Sequence, residues 1–325
     1  MGGWNAKLTG ALAALAIAAS PPVFAGLAAL APAPAAATSL FGQSRYAALL
    51  MDASTGEVLY ARQPDAERFP ASITKVMTLY LVFERLAAGQ LRLEDRVTMS
   101  ARAAAQRPSK LGLKAGETLS VDEAIRALAT KSANDVAVAL AEHVGGSEAN
   151  FARLMTHRAH ALGMTRSRFV NPSGLPDARQ VTTARDIATL SLAVIRDFPQ
   201  YYGYFQQQQF VFQGRVMPNH NHLLRTMPGV DGIKTGFTNA AGFTLAASAV
   251  RDGRRLLAVV LGSPTRPGRD SNVEALLASG FRVLAARQAG ERVQVADLLA
   301  EPADLNDALL STLVEQGSAD PAPRR

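Results

Sequence analysis

The chain has 325 residues, 48% of them hydrophobic, and 34 Lys and Arg against 27 Asp and Glu give a formal net charge of +7. That length suits one large domain or two small ones, and the apolar content permits a full core. The lack of cysteine excludes disulfides, thiol catalysis, a cysteine-ligated zinc and a lipidated N-terminal cysteine. The basic residues are scattered without interleaved aromatics, which excludes a nucleic-acid footprint and suits an anionic cell-wall polymer or membrane surface instead.

Lys7 and the apolar stretch over residues 8–19 read as an export signal. Val23-Phe24-Ala25 and Ala35-Ala36-Ala37 both have the small-residue cleavage pattern, so cleavage falls after Ala25 or after Ala37. Pro21 and Pro22 break the stretch, which favours a cleaved signal over an anchor. The signal and an alanine- and proline-rich, disordered leader fill residues 1–37 and continue to about residue 42. Residues 46–51 and 57–61 alternate as two strands joined by Ala53-Ser54-Thr55-Gly56, a hairpin signal. A helix follows over residues 72–89, with Val76, Leu79, Val82 and Phe83 as its apolar stripe and Pro70 just ahead of it.

The middle, residues 94–200, reads as mostly helical, with helices over 121–129 and 135–143 and a loop at Asn171-Pro172-Ser173-Gly174-Leu175-Pro176. A short strand around Lys234 follows Gly229-Val230-Asp231-Gly232. Residues 242–250 and 254–262 form a hairpin across Arg251-Asp252-Gly253, whose Asp-Gly step marks a tight turn. A helix over 272–286 packs on it. The fold class is therefore α/β: a five-stranded antiparallel sheet drawn from both ends of the chain, packed helices, and an inserted helical subdomain with a cleft between. Residues 38–288 hold this domain. Asp297, Glu301, Asp304, Asp307 and Glu315 make residues 289–325 a short acidic tail, read as a helix or two and a disordered end over 318–325.

Three short motifs carry chemistry. Ser72-Ile73-Thr74-Lys75 puts a hydroxyl and an amine on one helical face at contact range, with the serine at a helix N-terminus where negative charge is favoured. Serine is a weak nucleophile unaided, and a neutral amine is a suitable proton acceptor. A buried lysine near another cation has its pKa lowered, and Lys234 can be that cation. Only six of the 34 basic residues are lysine, and two of those six are Lys75 and Lys234. Arginine does not release its proton, whereas desolvated lysine does. Ser132-Ala133-Asn134 lies at a helix–helix turn and adds a second hydroxyl and an amide. Lys234-Thr235-Gly236 adds a cation, a hydroxyl and a glycine that admits close backbone approach. The N–H groups of Phe237 and Ser72 can together face an oxyanion.

With these residues, the chain resembles the low-molecular-mass penicillin-binding proteins, the serine D-alanyl-D-alanine carboxypeptidase family. The likeness includes Phe69-Pro70-Ala71-Ser72-Ile73-Thr74-Lys75-Val76-Met77-Thr78, Ser132-Ala133-Asn134-Asp135 and Val230-Asp231-Gly232-Ile233-Lys234-Thr235-Gly236, and runs from about Tyr46 to Ala286. It implies a β-lactamase/transpeptidase-like fold. Ser72 is then the acylated nucleophile, Lys75 its base, and Ser132 a proton relay with Lys234. Asn134 would hold the substrate amide, and Thr235, with Arg269 of Pro267-Gly268-Arg269-Asp270, the terminal carboxylate. The implied activity removes the terminal D-alanine from peptidoglycan pentapeptides, with β-lactam antibiotics as inhibitors. The implied location is exported, in the periplasm or on the cell-wall side of the inner membrane. No cofactor, metal or nucleic acid is expected. The 37 residues after Gln288 are too few for the second, β-rich domain of many family members, and their acidity suits an anionic membrane poorly, so membrane contact stays open.

The first alternative is a DD-endopeptidase cutting peptidoglycan cross-links. Such relatives usually carry glutamate in the middle of the second motif and arginine after its asparagine, unlike Ser132-Ala133-Asn134-Asp135. A class A β-lactamase needs a deacylating glutamate between the second and third motifs. No glutamate occurs between Glu148 and Glu274, and Glu148 comes too early for that loop, so slow β-lactam turnover is expected. An inactive wall-binding scaffold is disfavoured by intact Ser72, Lys75 and Lys234. His220 and His222 lack a carboxylate or cysteine companion for a metal, though the stretch Asn219–Leu224 resembles one near the family's cleft.

Overall fold

The computed structural model describes Met1 and residues 45–299, and all of these but Met1 fall within the unit 42–325. The export signal with its two cleavage patterns, the leader up to residue 44, and the tail from residue 300 lie outside the described residues.

In chain order, strand β1 (Ala47–Asp52) turns back into β2 (Val58–Arg62). The Asp52 carboxylate holds that turn by accepting from the Ser54 N–H at 2.8 Å. A 3₁₀ turn (Ala71–Ile73) leads into α1 (Thr74–Ala87). The inserted region then runs through β3 (Arg96–Thr98), α2 (Ala101–Ala104), β4 (Thr118–Ser120), α3 (Val121–Arg126), α4 (Asn134–Gly145), α5 (Glu148–Ala161) and α6 (Ala184–Asp197). Side chains that satisfy free backbone N–H groups start several of these helices. Ser147 caps α5, Thr183 caps α6, and Ser120 forms a capping box with Glu123 on α3. The hairpin β5 (Gln209–Phe212) and β6 (Arg215–Pro218) and the short α7 (Leu223–Thr226) precede β7 (Val230–Thr238), β8 (Gly242–Arg251) and β9 (Arg254–Ser263). Helix α8 (Arg266–Gln288) follows, and a 3₁₀ turn (Val295–Leu298) packs Val295 against the same core.

The main sheet has the order β2-β1-β9-β8-β7, and every pairing is antiparallel. The four strands of the two hairpins, β1–β2 and β8–β9, match the sequence reading within one residue at each end. Side-chain alternation builds a core on each face. Ala47, Leu49 and Met51 of β1 join Ile73, Val76 and Met77 on the helical side, while Ala48 and Leu50 join Leu276, Leu277 and Val283 of α8 on the other. Truncating Leu49 to alanine would cost about 2–5 kcal/mol by the usual cavity penalty. Helix α1 is buried on nearly every side, as an apolar helix running through a core must be. Phe83 stacks on Tyr201 and Tyr80 meets Phe198 edge-on, which fixes the helix that carries the first motif.

Three parts of the reading are corrected. Helix α8 begins at Arg266, not at residue 272: Thr265 caps it through the Gly268 N–H at 3.1 Å, and Pro267 in the first turn has no N–H to lose. The helix read over 121–129 is regular only to Arg126, after which a π-helical turn spans Ala127–Lys131. The helical middle region also contains a small two-stranded sheet, β3–β4, and a hairpin, β5–β6, follows that region. In β5–β6, Phe210, Phe212 and Met217 point inward while Val211 and Val216 point outward.

Candidate active site

Ser72 lies in the 3₁₀ turn ahead of α1, and Ala71 before it has φ +46°, a left-handed conformation. Such a position costs on the order of 1–2 kcal/mol for a residue with a Cβ, so surrounding contacts must hold it. Lys75, one turn into the helix, is completely buried. Its Nζ is 3.1 Å from Ser72 Oγ, 2.7 Å from Asn134 Oδ1 and 2.5 Å from the Ser173 carbonyl oxygen. A neutral amine has two N–H donors and one lone pair. Two of the three neighbours can only accept, so they take the two donors, and the lone pair is left facing the Ser72 hydroxyl. Burial drives the Lys75 pKa well below the ordinary lysine value; Lys234 pushes the same way and Asp135 opposes.

The second motif comes from the π turn. Ser132 adopts a left-handed conformation (φ 60°, ψ 38°), and its buried hydroxyl has no hydrogen-bond partner among the described residues. The surrounding backbone is pinned by Ser109, whose hydroxyl donates to the Lys131 carbonyl at 2.9 Å and whose carbonyl accepts from Asn134 N–H at 2.7 Å. Asn134 is turned into the protein at both ends: besides its bond to Lys75, its Nδ2 donates to the Arg107 carbonyl at 3.0 Å. Buried Asp135 accepts from the N–H groups of Leu111 and Gly112 and so clamps the 107–112 segment against the motif.

The third motif lies on β7, an edge strand. Lys234 pairs across the ladder with Ala246 and Gly236 with Thr244, whereas Thr235 pairs with Leu245 and Phe237 with Phe243. Directly opposed residues share a face. Ala246 belongs to the helical-side core and Leu245 to the α8-side core. Lys234 and Gly236 therefore face the nucleophile, and Thr235 and Phe237 face α8. A Cβ on Gly236 would sit 2.8 Å from Ser72 N and 2.6 Å from Thr244 Oγ1, so only glycine lets the strand pass this close. Lys234 is buried, donates to the Thr235 carbonyl at 3.1 Å, and is pulled down to about 7 by desolvation and the field of Arg269. Phe237 is 50% exposed and stacks on Phe243 with ring centroids 4.3 Å apart.

Ser72, Lys75, Asn134, Lys234 and Gly236 are thus brought together. Arg269, in the first turn of α8, is buried rather than solvated and close enough to Lys234 to perturb it. Ser132 and Lys234 share no hydrogen bond. His220 is held neutral, at about 4, by burial and surrounding cations, and among the described residues no cluster of three or more metal-ligating side chains occurs.

Sequence reasoning missed the backbone groups. The Ser173 and Arg107 carbonyls touch Lys75 and Asn134, yet any residue supplies a carbonyl. The 171–174 loop docks on the nucleophile turn because Gly174 (φ +85°) has no Cβ; one would lie 1.8 Å from the Ala71 carbonyl oxygen. Thr78 fixes the same loop by donating to the Pro172 carbonyl at 2.7 Å.

A nucleophile–amine pair, a hydroxyl–amide turn and a Lys-Thr-Gly edge strand around one cleft define the serine acyl-transfer class of penicillin-binding folds. Within it, the family described as Peptidase_S11, D-alanyl-D-alanine carboxypeptidase, matches residues 36–265, and the chain belongs to that family. It is 39% identical over 241 residues to D-alanyl-D-alanine carboxypeptidase DacC of Escherichia coli, covering 72% of this chain and 60% of that one. The chain spans about 60% of the length of the first curated relatives it matches. Among solved structures, penicillin binding protein 5 from Haemophilus influenzae superposes with a TM-score of 0.71 at 38% identity, covering 73% of this chain and 70% of that one. Penicillin-Binding Protein D2 from Listeria monocytogenes, in its cefotaxime-bound form, gives 0.66 at 32% identity, covering 72% and 96%.

Proposed function

We propose that this protein is an exported serine D-Ala-D-Ala carboxypeptidase that trims peptidoglycan pentapeptides through a Ser72 acyl-enzyme and is acylated by β-lactams. The observation that carries this reading is the buried Lys75 amine, with both donors taken by fixed acceptors and its lone pair left for Ser72 Oγ 3.1 Å away. Family membership, the carboxypeptidase names of the relatives and the cefotaxime-bound neighbour support it.

In the proposed reaction, Lys75 Nζ takes the Ser72 proton as Oγ attacks the carbonyl carbon between the two D-alanines. The N–H groups of Ser72 and Phe237 stabilise the oxyanion. The intermediate collapses, the C–N bond breaks, and the leaving amine takes a proton through the Ser132 hydroxyl, which is buried and has no hydrogen-bond partner among the described residues. The terminal carboxylate is held at the edge of β7 by Thr235 and Arg269, with the charge of Lys234 beside them. Water, deprotonated by Lys75, then cleaves the ester and frees Ser72. Asn134 orients Lys75 and keeps one further N–H for the substrate amide. An exported location follows from a peptidoglycan substrate, with the periplasm or the outer face of the inner membrane as its site. The described residues contain no helix long and apolar enough to cross a membrane.

The test is product analysis on two substrates, a monomeric pentapeptide and a cross-linked dimer. The proposal expects free D-alanine from the pentapeptide and an intact dimer. Cleavage of the dimer with the pentapeptide untouched would replace it with an endopeptidase.

A further inference from the structure

The carboxylate end of the site contains an acidic group with no step in the proposed reaction. Arg269 stands in the first turn of α8, where aligned peptide dipoles disfavour a cation, and it is only 3% exposed. Burial weakens its hold on the proton and Arg266 adds to this, while Asp270 acts in the opposite direction. Arg269 also depresses Lys234. Two cations this close and this dry need a counter-charge.

Asp270 supplies one. Its Oδ1 accepts from Arg269 Nε at 2.8 Å and Nη2 at 2.6 Å, and its Oδ2 faces His222 Nδ1 at 3.7 Å. One edge of the guanidinium is thereby locked, and Nη1 donates to no group among the described residues. The pair adds nothing to helix capping, which Thr265 already performs.

We propose that Asp270 is a positioning residue for the carboxylate anchor: it holds one edge of Arg269 so that Nη1 meets the substrate's terminal carboxylate. The proposal rests on the carboxypeptidase reading and adds a determinant of carboxylate-ended over neutral substrates.

The test uses two peptides that differ only at the end, D-Ala-D-Ala acid and its amide, with wild type, Asp270→Ala and Asp270→Glu. Asp270→Ala should raise KM for the acid by about tenfold or more, the scale of a lost charge-assisted pair. Its kcat should stay within about twofold, the amide should be unaffected, and Asp270→Glu should recover much of the loss. An equal loss on both peptides, or an unchanged KM, overturns the proposal. If Asp270→Ala does not fold, Asp270→Asn is read the same way, with a smaller rise expected because an acceptor remains. A second readout avoids peptide hydrolysis: the acylation rate of Ser72 by penicillin relative to its methyl ester. If wild type releases no D-alanine, the carboxypeptidase reading fails on its own, and this ratio still decides for Asp270. A drop of about tenfold in the variant supports the positioning role, and an unchanged ratio refutes it.

Discussion

Replacing Gly174 by alanine tests whether the 171–174 loop is part of the catalytic apparatus. At φ +85° the new Cβ would lie 1.8 Å from the Ala71 carbonyl oxygen and 3.0 Å from Ser72 N, where ordinary contact begins at 3.4 Å. The loop must retreat by more than 1 Å, because the obstacle is backbone already held at Ala71. Ser173 immediately precedes Gly174, so its carbonyl moves out of reach of Lys75 Nζ. Losing one hydrogen bond to the amine costs about 1.5–3 kcal/mol, or roughly ten- to a hundredfold in acylation rate. The left-handed backbone adds about 1–2 kcal/mol of instability. Gly146 is the control, with φ +71° and nothing within 4 Å of its Cβ position, so Gly146→Ala incurs the backbone strain alone. Fluorescent-penicillin labelling kinetics and thermal melts on both variants separate the two effects. Both should melt lower, and only Gly174→Ala should label slowly. Labelling of Gly174→Ala at the wild-type rate would refute the coupling of loop to amine.

Asn134→Ala should slow acylation by about ten- to a hundredfold through the lost 2.7 Å contact to Lys75. Asn134→Asp puts a carboxylate against the amine, favours its protonated form, and should lose activity at neutral pH and regain it at higher pH; stopped-flow acylation across pH checks both. In wild type, kcat/KM for a D-Ala-D-Ala peptide should rise with pH as Lys75 sheds its proton, then fall as Lys234 loses its charge above about 7. A bound carboxylate should move that falling limb upward in kcat. Stability has the opposite trend: between about 7 and the unfolded lysine value of 10.5, the unfolded chain binds a proton at Lys234 that the folded chain does not, so unfolding free energy from this residue rises with pH. Urea titrations of wild type and Lys234→Met at pH 7 and pH 9 measure it.

The strands and the three motifs were legible because period-two alternation and short polar signatures are local properties. The start of helix α8 is not legible, because its first turn depends on the Thr265 cap on the Gly268 N–H. The left-handed Ser132 was hidden, since no local residue type demanded the π turn before it. Ser173 and Arg107 were illegible for a different reason: they act through carbonyl oxygens, and their proximity depends on how distant segments dock. Arg269 could be read only through family likeness, and its burial against Lys234 separates it from the many solvated arginines of this chain.

The central claim is that Ser72, activated by Lys75, forms a covalent acyl-enzyme. The most direct measurement is intact-mass and peptide mapping after brief exposure to penicillin, for wild type and Ser72→Ala. A single adduct of penicillin mass is expected on the wild-type peptide containing Ser72, and none on the folded variant. An adduct on another residue, or its persistence in Ser72→Ala, would contradict it.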